Sequence, residues 1–488
     1  MNKCCPDIKG WIVNINFGKG RVLFSQKRSM LPLLLGILLF LISAGVCIGA
    51  ERVLVMTAPY PTTADGVSMT QMQRFWRGFR YGVPFDELLM TRKTYKDLIT
   101  LWGEPSQRTD IKIMTAPKIL QTAWGREKTW AVIPFEQLDP RWKVMDVEGV
   151  SPFSLGFDPE NYILSIPLPE GDKSNYDPEK LTTLTLTGTT AMARNLAYHI
   201  ETDGLLVPVE NIAPVLSASD ITHVSNEASF TPDCPPGDPL RREARFCSDP
   251  SYFALLEAIG TDVVELTGNH NLDWGYEPFL YSLDLYEQAG IPVYGGGLTQ
   301  EDAQAPLLIE HNGNKIAFLG CNAVGPTGIW AEKDHPGAAL CDLPKMEETI
   351  RELKADGWLP VVTFQHLEYT WYDVPPVQTH DFLEIAREAA PVIISGSQAH
   401  IPQGMTFVGD TFIHYGLGNL LFDQMSNVER TSFFDRHYFY DGRYLGNRLE
   451  TIILENYSQP RFLTEDERSA FLDLIFDTCS WREAFPVK

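Results

Sequence analysis

Basic residues are scarce in this sequence. It carries 40 Lys and Arg against 63 Asp and Glu over 488 residues, a net charge of −23. That deficit excludes nucleic acid as an expected partner, because phosphate backbones are gripped by clustered Lys and Arg. It also excludes adhesion to an anionic membrane surface by charge alone. None of the 8 cysteines forms a Cys-x-x-Cys pair, so neither a zinc ribbon nor a thioredoxin-like redox centre is expected. Internal repeats and low-complexity segments are missing too. What remains, with 44% hydrophobic and 11% aromatic residues, is a globular chain too long for one ordinary core.

One apolar run stands out near the N-terminus. Residues 30–50, MLPLLLGILLFLISAGVCIGA, include no charge in 21 positions. At about 1.5 Å of rise per residue, that length crosses a hydrocarbon core of roughly 30 Å. Lys19, Arg21, Lys27 and Arg28 precede it and Glu51 follows, so positive charge stays inside and the bulk of the chain lies outside. The pattern predicts a cytoplasmic tail over 1–29, a single membrane span over 30–50 and an extracytoplasmic remainder. A cleaved signal, lipidated at Cys47, is the alternative, and it leaves the same residues outside.

Cysteine placement suits that oxidising compartment. Cys234 and Cys247 bracket the polar loop CPPGDPLRREARFC, which reads as a local disulfide contributing roughly 3 kcal/mol through the unfolded chain. Cys321 and Cys341 offer a second pairing, whereas Cys4 and Cys5 belong to the tail.

Beyond the span, the pattern divides into an α/β domain over 51–180, a larger domain over 181–455 and a tail over 456–488 packed on it. In the smaller domain, helical stretches (71–81 and 95–102) alternate with apolar runs such as Trp130 to Pro134. It resembles one lobe of a periplasmic solute-binding protein. The polar, turn-rich stretch 170–180 reads as a linker. From Leu181 onward, apolar β-branched runs each end in a polar loop: LTTLTLTG, DVVELTG, KIAFLG, LPVVTF and PVIISG. Near-continuous apolar strands suit a sheet covered on both faces, and sites gather beyond the carboxyl ends of such strands.

Three clusters fall there: Asn269-His270-Asn271-Leu272-Asp273, His366-Leu367-Glu368, and Ser397-Gln398-Ala399-His400. A fourth is Ser225-Asn226-Glu227. Imidazole, carboxylate and amide oxygen together form a ligand set for Zn, Mn or Fe. Such an ion holds a hydroxide and polarises a phosphoryl oxygen. Each residue also has a plainer reading, as a helix cap, a turn residue or a partner for a backbone carbonyl.

From about Leu181 to Phe422 the sequence resembles the CapA family, whose members take part in poly-γ-glutamate capsule biosynthesis. The matching stretches are DVVELTGNHNLDWG, AGIPVYGGG, APLLIEHNGNKIAFLG, VVTFQHLEYTW and IHYGLGNLLFDQ, in that order. The resemblance implies a calcineurin-like α/β/β/α sandwich, two facing sheets flanked by helices. It implies Glu227, Asn269, His366, Glu368 and His400 as metal ligands, with His270, Asp273 and Arg194 in catalytic roles. Two positions depart from the pattern. Thr189 stands where the family has an aspartate, and Ser397-Gln398 where it has a histidine, with Asp220 as a substitute carboxylate if the backbone turns it inward. The resemblance therefore implies either a metal-dependent phosphoesterase-like hydrolase or a non-catalytic polymer-handling component beside a synthase. Its ligand would be a phosphoester or an anionic polymer; the basic residues Arg241, Arg242 and Arg245 are either a patch that receives it or simply flanks of the stapled loop.

Overall fold

The computed structural model describes Ile12–Val13 and residues 50–424 and 426–485. The expected membrane span lies outside the described residues except for Ala50, and among the described residues no helix is long and apolar enough to cross a membrane.

Residues 51–180 form a sheet in the order Ile111–Ile113, Glu87–Met90, Thr129–Pro134, Glu51–Pro59, Trp142–Val144, with Ser165–Pro167 also paired to Glu51–Pro59. Helices Met69–Trp76, Arg92–Trp102 and Ala116–Ala123 accompany it. The first opens on a capping box, with Ser68 accepting from the Gln71 amide and the Gln71 side chain accepting from the Ser68 amide. It ends earlier than its sequence pattern predicts, because Gly78 takes a left-handed φ of +84°.

The predicted linker is pinned rather than free. Asn175 Oδ1 accepts from the Val53 amide at 2.8 Å, and the Asp177 amide donates to the Tyr440 hydroxyl at 2.9 Å. Phe153 stacks on Tyr438 at 3.8 Å between ring centroids, so the smaller domain shares its core with the larger one. Arg468, on helix Glu465–Thr478, clamps Asp65 with Nε at 2.6 Å and Nη2 at 3.0 Å.

The larger domain holds two large sheets and a small two-stranded one, Gly296–Gly297 with Gly337–Ala338. Six of their strands carry the candidate site: β1 (Leu181–Thr190), β2 (Ile221–Asn226), β3 (Val263–Glu265), β4 (Leu359–Gln365), β5 (Ile393–Ser395) and β6 (Asn419–Leu421). In one sheet, β3, β2 and β1 lie side by side, followed by Thr431–Tyr440, Arg443–Glu455 and Gln459–Phe462, with β6 also paired to β1. In the other, Leu307–His311, Asn314–Asn322, β4, β5, Thr411–His414 and Met405–Val408 follow in order. Ile12–Val13 pairs in parallel with Leu308 and Ile309 at its edge.

Alternation of side chains explains why these strands read as unbroken apolar runs. Leu184, Leu186, Ile316, Phe318, Val361 and Ile393 point between the sheets into one core. Ala317, Leu319, Val362, Phe364 and Ile394 point outward, onto helices Leu343–Ala355 and Pro376–Glu388. Val224, Val264 and Phe434 do the same on the other side, against helices Arg194–Asp203 and Tyr276–Ala289. The result is four layers, helix, sheet, sheet, helix. Parallel pairing of β1, β2, β3 and β6, and of β4 with β5, brings their carboxyl ends to common edges.

His437 lies fully buried on Thr431–Tyr440, its Nδ1 against the Tyr444 hydroxyl at 3.0 Å and its Nε2 without a partner. Burial pushes its pKa down from 6.5 to about 4. The folded chain thus binds fewer protons than the unfolded one between these values, and stability present above pH 6.5 falls as pH drops toward 4. At 1.36 kcal/mol per unit, His437→Phe is expected to remove about 3 kcal/mol of that pH dependence. Urea denaturation at pH 7 and pH 4.5 checks this; equal slopes in variant and wild type would refute it.

Candidate functional site

Glu227 follows directly on β2 and is fully buried. Its backbone amide donates to the Thr190 carbonyl at 2.8 Å, tying it to the end of β1. Gly268 lets the next loop close over it, since a Cβ there would meet the Glu227 Cα at 2.7 Å. That loop carries Asn269 and His270. One carboxylate oxygen of Glu227, Oε2, has no partner, and neither amide atom of buried Gln398 has one. Unpaired buried polar atoms are costly, so Glu227 Oε2 marks a place for a ligand or ordered water.

The other Glu227 oxygen, Oε1, lies 3.8 Å from His400 Nε2 and 3.5 Å from Gln365 Nε2. Gln365 Nε2 also donates to Asn269 Oδ1 at 2.8 Å. Asn419, at the start of β6, accepts from His400 Nδ1 at 2.9 Å, which leaves Nε2 facing Glu227. Glu368 fixes the same loop from outside, its Oε2 accepting from the backbone amide of His400 at 2.8 Å. Burial raises the Glu368 pKa from its ordinary value.

His270 Nδ1 bonds Asp273 Oδ2 at 2.7 Å, and that oxygen also accepts from the Phe246 amide at 2.7 Å. Asp273 therefore orients the imidazole. Burial works against charge on both histidines. For His400 the carboxylates of Glu227 and Glu368 outweigh it, and for His270 Asp273 and Glu227 do; both are raised above the ordinary imidazole value.

Three expected residues take other positions. His366 is not brought into the pocket, because it follows Gln365 at the end of β4 and successive side chains point to opposite faces. Its Nε2 bonds Asp381 Oδ2 at 2.9 Å, beside the helix Pro376–Glu388, and its Nδ1 accepts from the Leu367 amide at 2.8 Å. Arg194 holds Asp423, with Nε at 2.9 Å and Nη2 at 2.7 Å from Oδ1. Asp220 precedes β2 and bonds Thr183 at the opposite end of β1, so it supplies nothing to the site.

Thr189 points into the polar layer between the sheets and donates to the Ser397 and Ala399 carbonyls at 3.5 Å. Ser397 donates to Glu265, which lies 3.3 Å from His223. Burial of Glu265 is offset by His223, Ser397 and Thr267, so its pKa falls below the usual value.

Sequence reasoning missed Gln365, Asn419, Asp423, Glu265 and His223. Asn419 and Asp423 sit inside IHYGLGNLLFDQ, a stretch legible as a match but not as individual roles.

The donor set can be weighed for a metal. Thr189 offers no anion, His366 is turned away, and an amide nitrogen of Gln365 occupies the space between Glu227 and Asn269. A two-metal centre does not fit. Among the described residues the grouping of three His, Cys, Asp or Glu ligand atoms within 4.8 Å of one another is His380, Asp381 and Glu384, outside this pocket.

The arrangement is thus a four-layer α/β domain with a carboxylate, two imidazoles and amides at its strand ends. Residues 183–424 match the family model of the bacterial capsule synthesis protein PGA_cap. The PGA biosynthesis protein CapA of Bacillus subtilis is 24% identical over 240 residues, covering 49% of this chain and 62% of the relative. The capsule biosynthesis protein CapA of Bacillus anthracis is 23% identical over 250 residues, covering 50% and 61%. The chain thus spans about three fifths of the length of these relatives. A 5′-nucleotidase precursor from Thermus thermophilus overlays on 61% of this chain and 58% of its own, at a TM-score of 0.35 and 14% identity.

Two outcomes follow for the site. Glu227→Gln removes the charge that favours imidazolium, so His270 and His400 are expected to titrate at lower pH by NMR; unmoved resonances would refute the coupling. Arg194→Ala leaves Asp423 buried without its cation, at a cost of about 3–5 kcal/mol in urea denaturation. A loss under about 1 kcal/mol would show the pair to be a surface-like contact.

Proposed function

We propose that this protein is a membrane-anchored, extracytoplasmic component of the machinery that makes or exports an anionic capsule polymer of the poly-γ-glutamate type. Its strand-end pocket handles the polymer without metal-dependent hydrolysis. The family match supports the process. The span at 30–50 and the disulfides Cys234–Cys247 and Cys321–Cys341 support the compartment.

One observation carries the non-catalytic reading. Gln365 Nε2 lies 3.5 Å from Glu227 Oε1 and 2.8 Å from Asn269 Oδ1, so a neutral N–H donor sits where a cation would have to bind both oxygens. The second reading, a hydrolase with a single weakly held divalent ion, draws on the unpaired Glu227 Oε2 and on His400 Nε2, 3.8 Å from Oε1.

The two separate cleanly by experiment. The purified full-length protein is expected to carry well under one metal per chain by inductively coupled plasma mass spectrometry. It is also expected to leave an aryl phosphate intact with Mn, Zn or Fe(II) added. One bound metal, with turnover that His270→Ala abolishes, would establish the hydrolase instead.

Orientation has its own check. Pairing of Ile12–Val13 with the Leu308 edge requires the tail on the same side of the membrane as the large domain, whereas the anchor places it on the other. An impermeant maleimide is expected to reach Cys4 and Cys5 only after permeabilisation. Labelling in intact cells would overturn the single-pass anchor.

A further inference from the structure

The stapled loop lies outside the pocket, yet it is bound to it. Cys234 and Cys247 are joined, with Cα atoms 5.7 Å apart, and the loop between them lies on helix Arg194–Asp203. Gly237 makes that approach: its amide donates to Glu201 Oε1 at 2.9 Å, and a Cβ there would strike the Tyr198 nitrogen at 2.0 Å. Between loop and helix runs a narrow cleft lined by Arg194, Arg241, Arg245, Pro235, Tyr252 and the disulfide.

Three arginines on one cleft are unusual in a chain of net charge −23. Of the three, Arg194 is already neutralised by Asp423, as Arg141 is by Asp139, Arg448 by Asp146, Arg461 by Glu467 and Arg468 by Asp65. Arg241 and Arg245 have no carboxylate partner among the described residues. Arg245 is held in place by neutral groups, its Nε donating to the Asp273 carbonyl at 2.9 Å and its guanidinium 4.2 Å from the Trp274 ring. Its remaining N–H groups are left for another acceptor.

The cleft and the pocket share a wall. The Phe246 ring has the Arg194 guanidinium at 4.7 Å and the His270 ring at 4.4 Å. Asp273, whose carbonyl anchors Arg245, holds His270 through its carboxylate. An extended chain with an oxyanion on each unit can therefore touch both.

We propose that this arginine cleft is a carboxylate subsite for the anionic polymer, gripping one unit while a neighbouring unit lies at His270. This rests on the polymer reading above and names the chemistry of recognition. Guanidinium forks match carboxylates in geometry as well as charge. The disulfide closes the loop that carries Arg241 and Arg245.

The test is fluorescence anisotropy of a labelled γ-glutamate decamer against the full-length protein at low salt. Arg241→Gln is expected to weaken binding about tenfold, and Arg241→Gln with Arg245→Gln further, with a shallower dependence on salt. Arg242→Gln, on the exposed part of the loop, is expected to stay within about twofold of wild type. Thermal melts confirm that each variant is folded. If wild type binds and the double variant binds equally well, the subsite is wrong while the polymer reading stands. If wild type does not bind the decamer, or takes up inorganic tripolyphosphate alone, both are wrong.

Discussion

Glu227 is a carboxylate buried with one oxygen unpaired, and the surrounding structure is arranged to tolerate it. Burying an ion without compensation costs several kcal/mol. Compensation here comes from three directions: the imidazole of His400, the amide of Gln365, and the field of His270 across the Gly268 loop. Each of these is held in turn from behind, by Asn419, Asn322 and Asp273. The site is therefore a nested set of hydrogen bonds whose innermost member is an anion. That anion helps raise the pKa of both histidines, together with Asp273 at His270 and Glu368 at His400.

The two-sided burial of the sheets supplies the frame for this nest. Residues of β4 alternate, Val361, Thr363 and Gln365 toward the facing sheet, Val362 and Phe364 toward the helix, and His366 just beyond the strand continues that outward face. The same alternation that makes the strand apolar throughout decides which polar residue at its end becomes part of the site. In a strand covered on one face only, the inward residue would have been visible as the odd one in a polar–apolar pattern.

This explains what was legible beforehand. The runs ending at Gly268, Gln365 and Gly396 announced strands with loops at their carboxyl ends, and the candidate residues lie on those loops. Asn269, His270 and His400 were readable because unusual residue types cluster after those runs. His366 was misplaced because a buried strand hides its own parity, and a histidine draws attention that a neighbouring glutamine does not. Asp423 lies 229 positions from its partner Arg194, a distance along the chain over which spacing carries no signal. The stretch 170–180 looked like a tether because its composition is polar, yet its amides and carbonyls are used by strand Glu51–Pro59 and by Tyr440.

The clamp of Arg468 on Asp65 joins partners 403 positions apart. Contacts so remote in sequence form only after both neighbourhoods are largely ordered, because a very long loop must first be closed. The smaller domain therefore acquires this polar fastening late, from a helix made hundreds of residues after it. For a polypeptide that emerges progressively, the early lobe waits with Asp65 paired to Lys143 alone, and this part of the seam between the lobes is sealed afterwards.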